Sequence, residues 1–231
     1  MNKEQLQAAL IKAKETSNKR NFKQTFDLII NLRGLDKKKQ DHQIETFITL
    51  PFSRGRKVKA CALIGAELEP QAKGTFDTVI LFDHFEKYKD KKDIKKLAAA
   101  HDFFIAQANI MPKVATVFGK VLGPRGKMPN PKAGGVVAPN ANLKVVYERF
   151  QKTIRASNKL NPAIQCPIGN EDMEMAKLID NGMTVYNSIL QVLPNEKHNV
   201  KDVMVKLTMS KPVRIGEETE EAIAKKSKKH K

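Results

Sequence analysis

The chain has 231 residues and sets 42 Lys plus Arg against 25 Asp plus Glu, a formal charge of +17, with 41% hydrophobic residues. That apolar content fills one large or two small cores and excludes a wholly disordered chain. The apolar runs, such as residues 103–106, are a handful of residues long and fall far short of the roughly 20 a membrane-spanning helix needs.

Leu6, Ala9, Leu10 and Ala13 recur at helical spacing, so residues 3–18 are predicted as a helix with one apolar stripe. This opening segment mixes Lys, Glu and Gln into its apolar positions and lacks the apolar stretch of a secretory leader. Phe26, Leu28, Ile30 and Leu32 alternate with Thr25, Asp27, Ile29 and Asn31, and Ile44, Thr46, Ile48 and Leu50 alternate again after a charged turn; two strands joined by a basic loop are expected. Residues 52–57, short, basic and glycine-containing, read as a hinge.

From Val58 the texture changes. VKACALIG, TVILFD and DFFIAQ are unbroken apolar runs, the pattern of strands buried on both faces of a parallel sheet. Helices are predicted over 89–100, 111–118 and 141–151, the last with Asn140 as its N-cap. After residue 151 alternation returns at Ile164, Cys166 and Ile168, a helix follows from Met175 to Ile189, and Val203, Val205 and Leu207 form a final strand. The fold expected is α+β and α/β: residues 1–55 with 152–231 build a discontinuous, split β-α-β-like domain with one four-stranded sheet. Residues 56–151 form an inserted, parallel-sheet, Rossmann-like domain.

The positive surplus is general: +5 over residues 1–55, +8 over 56–151 and +4 over 152–231. It peaks at Lys37–Lys39, at residues 53–57, around Arg125 and in the tail 225–231, the footprint of a protein that neutralises many phosphates. A lysine-rich solvated surface is the plain alternative. The stretch 119–140, GKVLGPRGKMPNPKAGGVVAPN, holds five Gly, four Pro, four basic residues and no acid. Glycine permits close approach, proline stiffens, and Lys120, Arg125, Lys127 and Lys132 supply charge. A nucleotide phosphate loop is excluded by spacing, because position 121 is Val and Met128 follows Lys127 where a hydroxyl is required.

LGPRGKMPNPKAG resembles the signature loop of the L-one family of large-subunit ribosomal proteins, in its archaeal form. NFKQTFDLIINL at 21–32, AIQCPIG at 163–169 and VKLTMSKPVRI at 205–215 resemble the same family in order and spacing, so the resemblance covers residues 1–215. It implies binding to large-subunit rRNA at the mobile stalk beside the exit-site tRNA, with help in tRNA release, among other large-subunit components. It also implies a ribosome-associated, cytoplasmic protein and, as in some members, repression through its own mRNA. No cofactor, metal, membrane or catalytic residue is implied. The family's RNA contacts fall here on Phe22, Thr25, Asp27, Thr208 and Met209, while Ser210 stands where members commonly have Gly. That serine is expected to crowd the RNA or to add a hydroxyl contact.

Arg20, Phe22 and Lys23 set an aromatic between cations, which suits stacking on an exposed base; a Phe that staples a strand to its core is the competing reading. Lys206, Lys211 and Arg214 flank Thr208 and Met209, so uncharged groups would discriminate and cations would hold phosphates. Lys120, Arg125, Lys127 and Lys132 are the candidate RNA contacts of the second domain, with a structural cap as the alternative for the Arg125 loop. An enzyme would need converging titratable groups, and the five histidines form no metal-ligand or nucleophile motif. Asp83-His84, at the end of a buried strand, is the best candidate dyad, but adjacent strand residues point apart. A scaffold held by charge alone is the third reading.

Overall fold

The computed structural model describes residues 1–35, 42–88, 90–159 and 161–216; the lysines at 37–39 and the tail at 225–231 lie outside the described residues. The elements run α1 (Lys3–Glu15), β1 (Thr25–Leu32), β2 (Glu45–Thr49), β3 (Ala60–Ile64), α2 (Glu69–Lys73), β4 (Thr78–Leu81), α3 (Lys91–Ala100) and β5 (Phe103–Gln107). They continue with α4 (Met111–Leu122), β6 (Val136–Val137), α5 (Leu143–Lys152), β7 (Thr153–Ser157), β8 (Ala163–Asn170), α6 (Met175–Val192), β9 (Val200–Leu207) and β10 (Val213–Arg214). Two compact units result, Met1–Gly55 with the chain from Arg155 onward, and Arg56–Ile154 between them.

In the first unit an antiparallel sheet has the order β10-β9-β1-β8. Phe26, Leu28, Ile30 and Leu32 of β1 are buried in strict alternation, as are Val203, Val205 and Leu207 of β9 and Ile164, Cys166 and Ile168 of β8. Helices α1 and α6 pack against this sheet and each other, with Leu6, Leu10, Leu178 and Ile189 buried between. Each such aliphatic side chain removed from water contributes about 1.5–3 kcal/mol. The close approach of the two helices depends on Gly182, where a Cβ would sit 2.9 Å from the Leu6 side chain.

The second predicted strand does not join this sheet. Both edges of β1 are taken, by β8 and β9, so β2 pairs with β7 instead, and the fourth place belongs to the two-residue β10. Alternation identifies a strand and its buried side but carries no information about its partner. The buried Asn158 fixes the entry to β2: its Oδ1 accepts from the Ile44 N–H at 2.7 Å and its Nδ2 donates to the His42 carbonyl at 2.9 Å.

The second unit is a parallel sheet in the order β4-β3-β5-β6. All five residues of β3 are buried, as its unbroken apolar run requires. One core gathers Leu63, Ile80, Phe85, Ile94, Phe104, Val114 and Phe118 beneath α3 and α4. Helix α4 continues past the predicted end at 118 to Leu122, taking the first residues of the glycine-rich stretch, and α5 is capped by Asn142 rather than Asn140, its Oδ1 accepting from the Lys144 N–H at 3.1 Å.

Primary amides hold the chain on both sides of the first crossing. The fully buried Asn181 accepts from the Phe52 N–H and donates to the Phe52 carbonyl, both at 3.1 Å, and donates to the Ile168 carbonyl at 2.8 Å. Asn170 donates to the carbonyl of Gly55, whose φ of +80° and contact with that amide leave no room for a Cβ. Beyond the crossing, Gln151 accepts from the Val58 N–H at 2.9 Å and donates to its carbonyl at 2.8 Å.

Candidate nucleic-acid interface

The residues of β1 that alternate with its core positions, Thr25, Asp27, Ile29 and Asn31, are half-buried on the other face of the sheet. Because β1 is central, register gives Asp27, Ile29 and Asn31 a partner on both sides. Asp27 lies between Lys206 and Pro167, and Ile29 lies between Met204 and Gln165, with Arg214 beyond Met204. Asn31 donates to Asp202, whose other oxygen lies 3.9 Å from the Arg214 guanidinium. Burial pushes the Asp27 carboxyl above its ordinary range, and the Lys206 ammonium opposite only partly counters it. This face therefore offers one carboxylate that is costly to keep charged, cations beside it, and amide and apolar groups between them.

At the end of the same sheet the candidate residues meet. The Thr25 N–H donates to the Thr208 hydroxyl oxygen at 3.0 Å, and that hydroxyl donates back to the Thr25 carbonyl at 3.4 Å. Phe22 is 51% exposed and Met209 61% exposed, so Phe22 is not a core staple and both apolar side chains face solvent. Lys23 pairs with Asp172 at 2.7 Å, and that hydrogen bond raises its pKa. Arg20 and Lys211 are exposed. The half-buried Ser210 hydroxyl accepts from the Leu207 N–H at 2.8 Å and lies 3.3 Å from both the Leu207 and the Lys211 carbonyls, closing the turn after β9.

The residue that organises this end carries no signal in the sequence reading. Gln24 is 2% exposed, and its Oε1 accepts from the Met209 N–H at 3.2 Å while its Nε2 donates to Ser17 Oγ at 3.1 Å and the Asn18 carbonyl at 3.4 Å. Its own carbonyl accepts from the Glu171 N–H. One buried residue thus ties four places: its side-chain amide joins the segment after α1 to the turn after β9, and its backbone carbonyl holds the turn after β8 to the start of β1. A glutamine between Lys and Thr reads as an ordinary surface residue; only its destination makes it central.

In the second unit the four basic candidates diverge. Lys127 turns inward, its ammonium donating to the Ala98 carbonyl at 2.8 Å and the His101 carbonyl at 2.7 Å, where it caps the C-terminal end of α3. Burial lowers its pKa, opposed by the Asp102 carboxylate and reinforced by the Arg125 charge. Arg125 donates to the Lys95 carbonyl at 3.2 Å from an exposed position. Lys120 lies on the outer face of α4, and Lys132 is exposed in a turn held by Asn130, whose side chain accepts from the Lys132 N–H at 2.9 Å. The loop around Arg125 is therefore built onto α3, while Lys120 on α4 and Lys132 in its turn present exposed cations.

Where parallel α/β sheets hold ligands, between the carboxyl ends of β3 and β5, the buried Gln107 accepts from the Gly65 N–H at 2.9 Å and donates to Glu67 at 3.4 Å. That crevice is filled by the protein's own side chain. Asp83 and His84 are exposed on the short helical turn after β4.

Residues 11–211 match the model of the ribosomal protein L1p/L10e family. The chain is 40% identical over 209 residues to the large ribosomal subunit protein uL1 of Nanoarchaeum equitans, covering 89% of this chain and 97% of that one. It is 37% identical over 219 residues to the protein of that name from Methanocaldococcus jannaschii, covering 94% and 98%, and 36% identical over 216 residues to that of Thermococcus kodakarensis, covering 92% and 97%.

Proposed function

Because the chain belongs to the ribosomal protein L1p/L10e family, a family of structural constituents of the large ribosomal subunit, we propose that its first unit binds large-subunit rRNA through the sheet end built by Gln24. The observation that carries this reading is the joining of Thr25, Thr208 and Met209 by the Thr25–Thr208 hydrogen bonds and the Gln24 amide, with the exposed Phe22 two residues before Gln24. Two exposed apolar side chains on a fixed backbone suit contact with unstacked bases and sugars. Arg20, Lys23, Lys206, Lys211 and Arg214 around them suit phosphates, and Asp27 suits a 2′-OH or a guanine edge. Ser210 shapes the turn that presents Met209 and stands among the candidate RNA contacts.

The stalk position, contact with exit-site tRNA, assistance in tRNA release and repression through the protein's own mRNA extend this proposal. In the second unit Lys120 and Lys132 are the cations offered to RNA, with Arg125 sharing its guanidinium with α3. The test is electrophoretic shift of a synthetic stalk RNA at two salt concentrations, against a random duplex. Log K is expected to fall by roughly 0.7–0.9 per phosphate neutralised per decade of salt on both targets. Thr208→Ala or Met209→Ala weakens the stalk RNA far more than the duplex; equal loss on both removes specific recognition and leaves a scaffold held by charge.

A further inference from the structure

The outer surface of the second unit carries a groove of about 320 Å³ between α3, α4 and the turn that precedes α3. Its floor is apolar, formed by Phe85, Ile94, Val117 and Val121, with Tyr88 at one side. Three lysines stand at its rim: Lys91 from the start of α3, and Lys113 and Lys120 from α4. Among the described residues none of the three is in an ion pair with a carboxylate, and Glu86 is the single acid in the lining. The Lys113 ammonium is held in place, 4.4 Å from the centre of the Phe82 ring.

The chemistry of the floor argues against a nucleobase. The Phe85 ring is buried and engaged edge-to-face with Phe118 at 5.2 Å, and the half-buried Tyr88 ring already packs at a tilt on Phe118 at 5.7 Å, so the floor is an aliphatic and ring-edge surface, not a stacking platform. The Thr116 hydroxyl already donates to the Pro112 carbonyl at 3.0 Å, which leaves few fixed polar groups to read a base edge. The spacing of the rim argues against a single phosphate head. Lys113 and Lys120 are seven residues apart on α4, roughly 10 Å along its axis, so their charge is spread over the length of a chain-like ligand.

We propose that this groove binds an acidic peptide segment, one or two of whose large aliphatic or aromatic side chains enter the floor while flanking carboxylates meet Lys91, Lys113 and Lys120. It is a helix-in-groove or short-segment recognition site; it does not depend on RNA binding by the first unit, and it shares Lys120 with the RNA contact proposed for the second, so the two ligands would compete there. Spread positive charge attracts any polyanion, so the apolar anchor is the feature that distinguishes this site from the general surplus of the chain.

The full chain is titrated into a fluorescein-labelled peptide of about 14 residues, four helical turns, with two leucines four positions apart among glutamates; binding is read by anisotropy near physiological salt. Replacing both peptide leucines by serine is expected to weaken binding about tenfold or more, and so is K113E/K120E in the protein. Thr116→Trp, an exposed position at the mouth, blocks the groove without altering charge and gives the same loss; melting curves verify that both variants fold. Binding that survives the leucine replacement or Thr116→Trp overturns the proposal, because charge alone then accounts for it. It is equally overturned if K113E/K120E abolishes binding of a single-stranded oligouridylate while leaving the peptide unaffected.

Discussion

Replacing Lys127 by Met removes the two hydrogen bonds that its ammonium donates to Ala98 and His101 while keeping the aliphatic stem. A hydrogen bond from a charged group contributes about 1.5–3 kcal/mol, so the gross loss is about 3–6 kcal/mol. Two effects reduce it: the site is half open to water, which rehydrates the freed carbonyls, and burial already disfavours the ammonium, as its lowered pKa indicates. A net destabilisation of about 1–2 kcal/mol is expected. In a unit of about 100 residues each kcal/mol moves the melting temperature by roughly 4–8 °C, so calorimetry should show the second unit's transition falling by about 4–16 °C. Lys132→Met, at an exposed side chain, should leave that transition within about 0.5 kcal/mol of its place. Hydrogen exchange at the His101 amide, which donates to Leu97, should quicken in the Lys127 variant. An unchanged transition together with a tenfold or greater loss of RNA affinity would refute the capping role and make Lys127 a nucleic-acid contact.

Gln24→Ala strips the Met209 N–H of its partner and opens a gap at a buried position, so it should cost about 2–3 kcal/mol in denaturant melts and weaken stalk RNA without altering the salt slope. An unaltered RNA affinity would show that the amide is not a positioning group. For Asp27, burial sets the folded-state pKa above the unfolded one, so its stabilising contribution is present at low pH and is lost as pH rises through the folded value. Asp27→Asn should therefore leave stability at pH 7 equal or higher while reducing discrimination between stalk RNA and duplex; a less stable variant with intact discrimination would reverse the assignment. Glu45 behaves oppositely. The hydrogen bond from Lys159 and the charge of Arg155 outweigh burial and hold its carboxyl low. Its contribution is therefore present above roughly pH 4.3 and is lost on acidification through the lower folded value. Glu45→Gln should flatten the acid limb of a stability-against-pH curve, and an identical limb would dissociate the ion pairs from acid unfolding.

The elements that were legible in the sequence are those whose side chains repeat a local rule. Alternation at Phe26–Leu32, at Ile164–Ile168 and at Val203–Leu207 marks the strands and their buried faces, and the unbroken run at Ala60–Ile64 marks a strand covered on both sides. What was not legible depends on partners distant in sequence. The pairing of β2 with β7 follows from the occupied edges of β1, and β10 is too short to show a period. The same limit applies to the candidate site. Exposed Phe22 and Met209 are named by motif, but the inward turns of Ser210 and Lys127 are choices among carbonyls and amides that only the folded chain brings within reach. Gln24 escapes a reading of the sequence for that reason: the three segments it bonds all lie elsewhere along the chain, and nothing in KQTF announces them.

The amides that grip Phe52, Gly55 and Val58 have a mechanical consequence. Asn181 and Gln151 each satisfy the donor and the acceptor of a single residue, as a neighbouring strand would, so that residue is fastened to its own unit without belonging to any sheet. Between the fastened points, Lys57 is further tethered to Asp77. Each end of the first connecting segment is therefore moored by side-chain amides of the unit it belongs to, and Phe52 and Val58 are held as firmly as strand residues with no strand beside them.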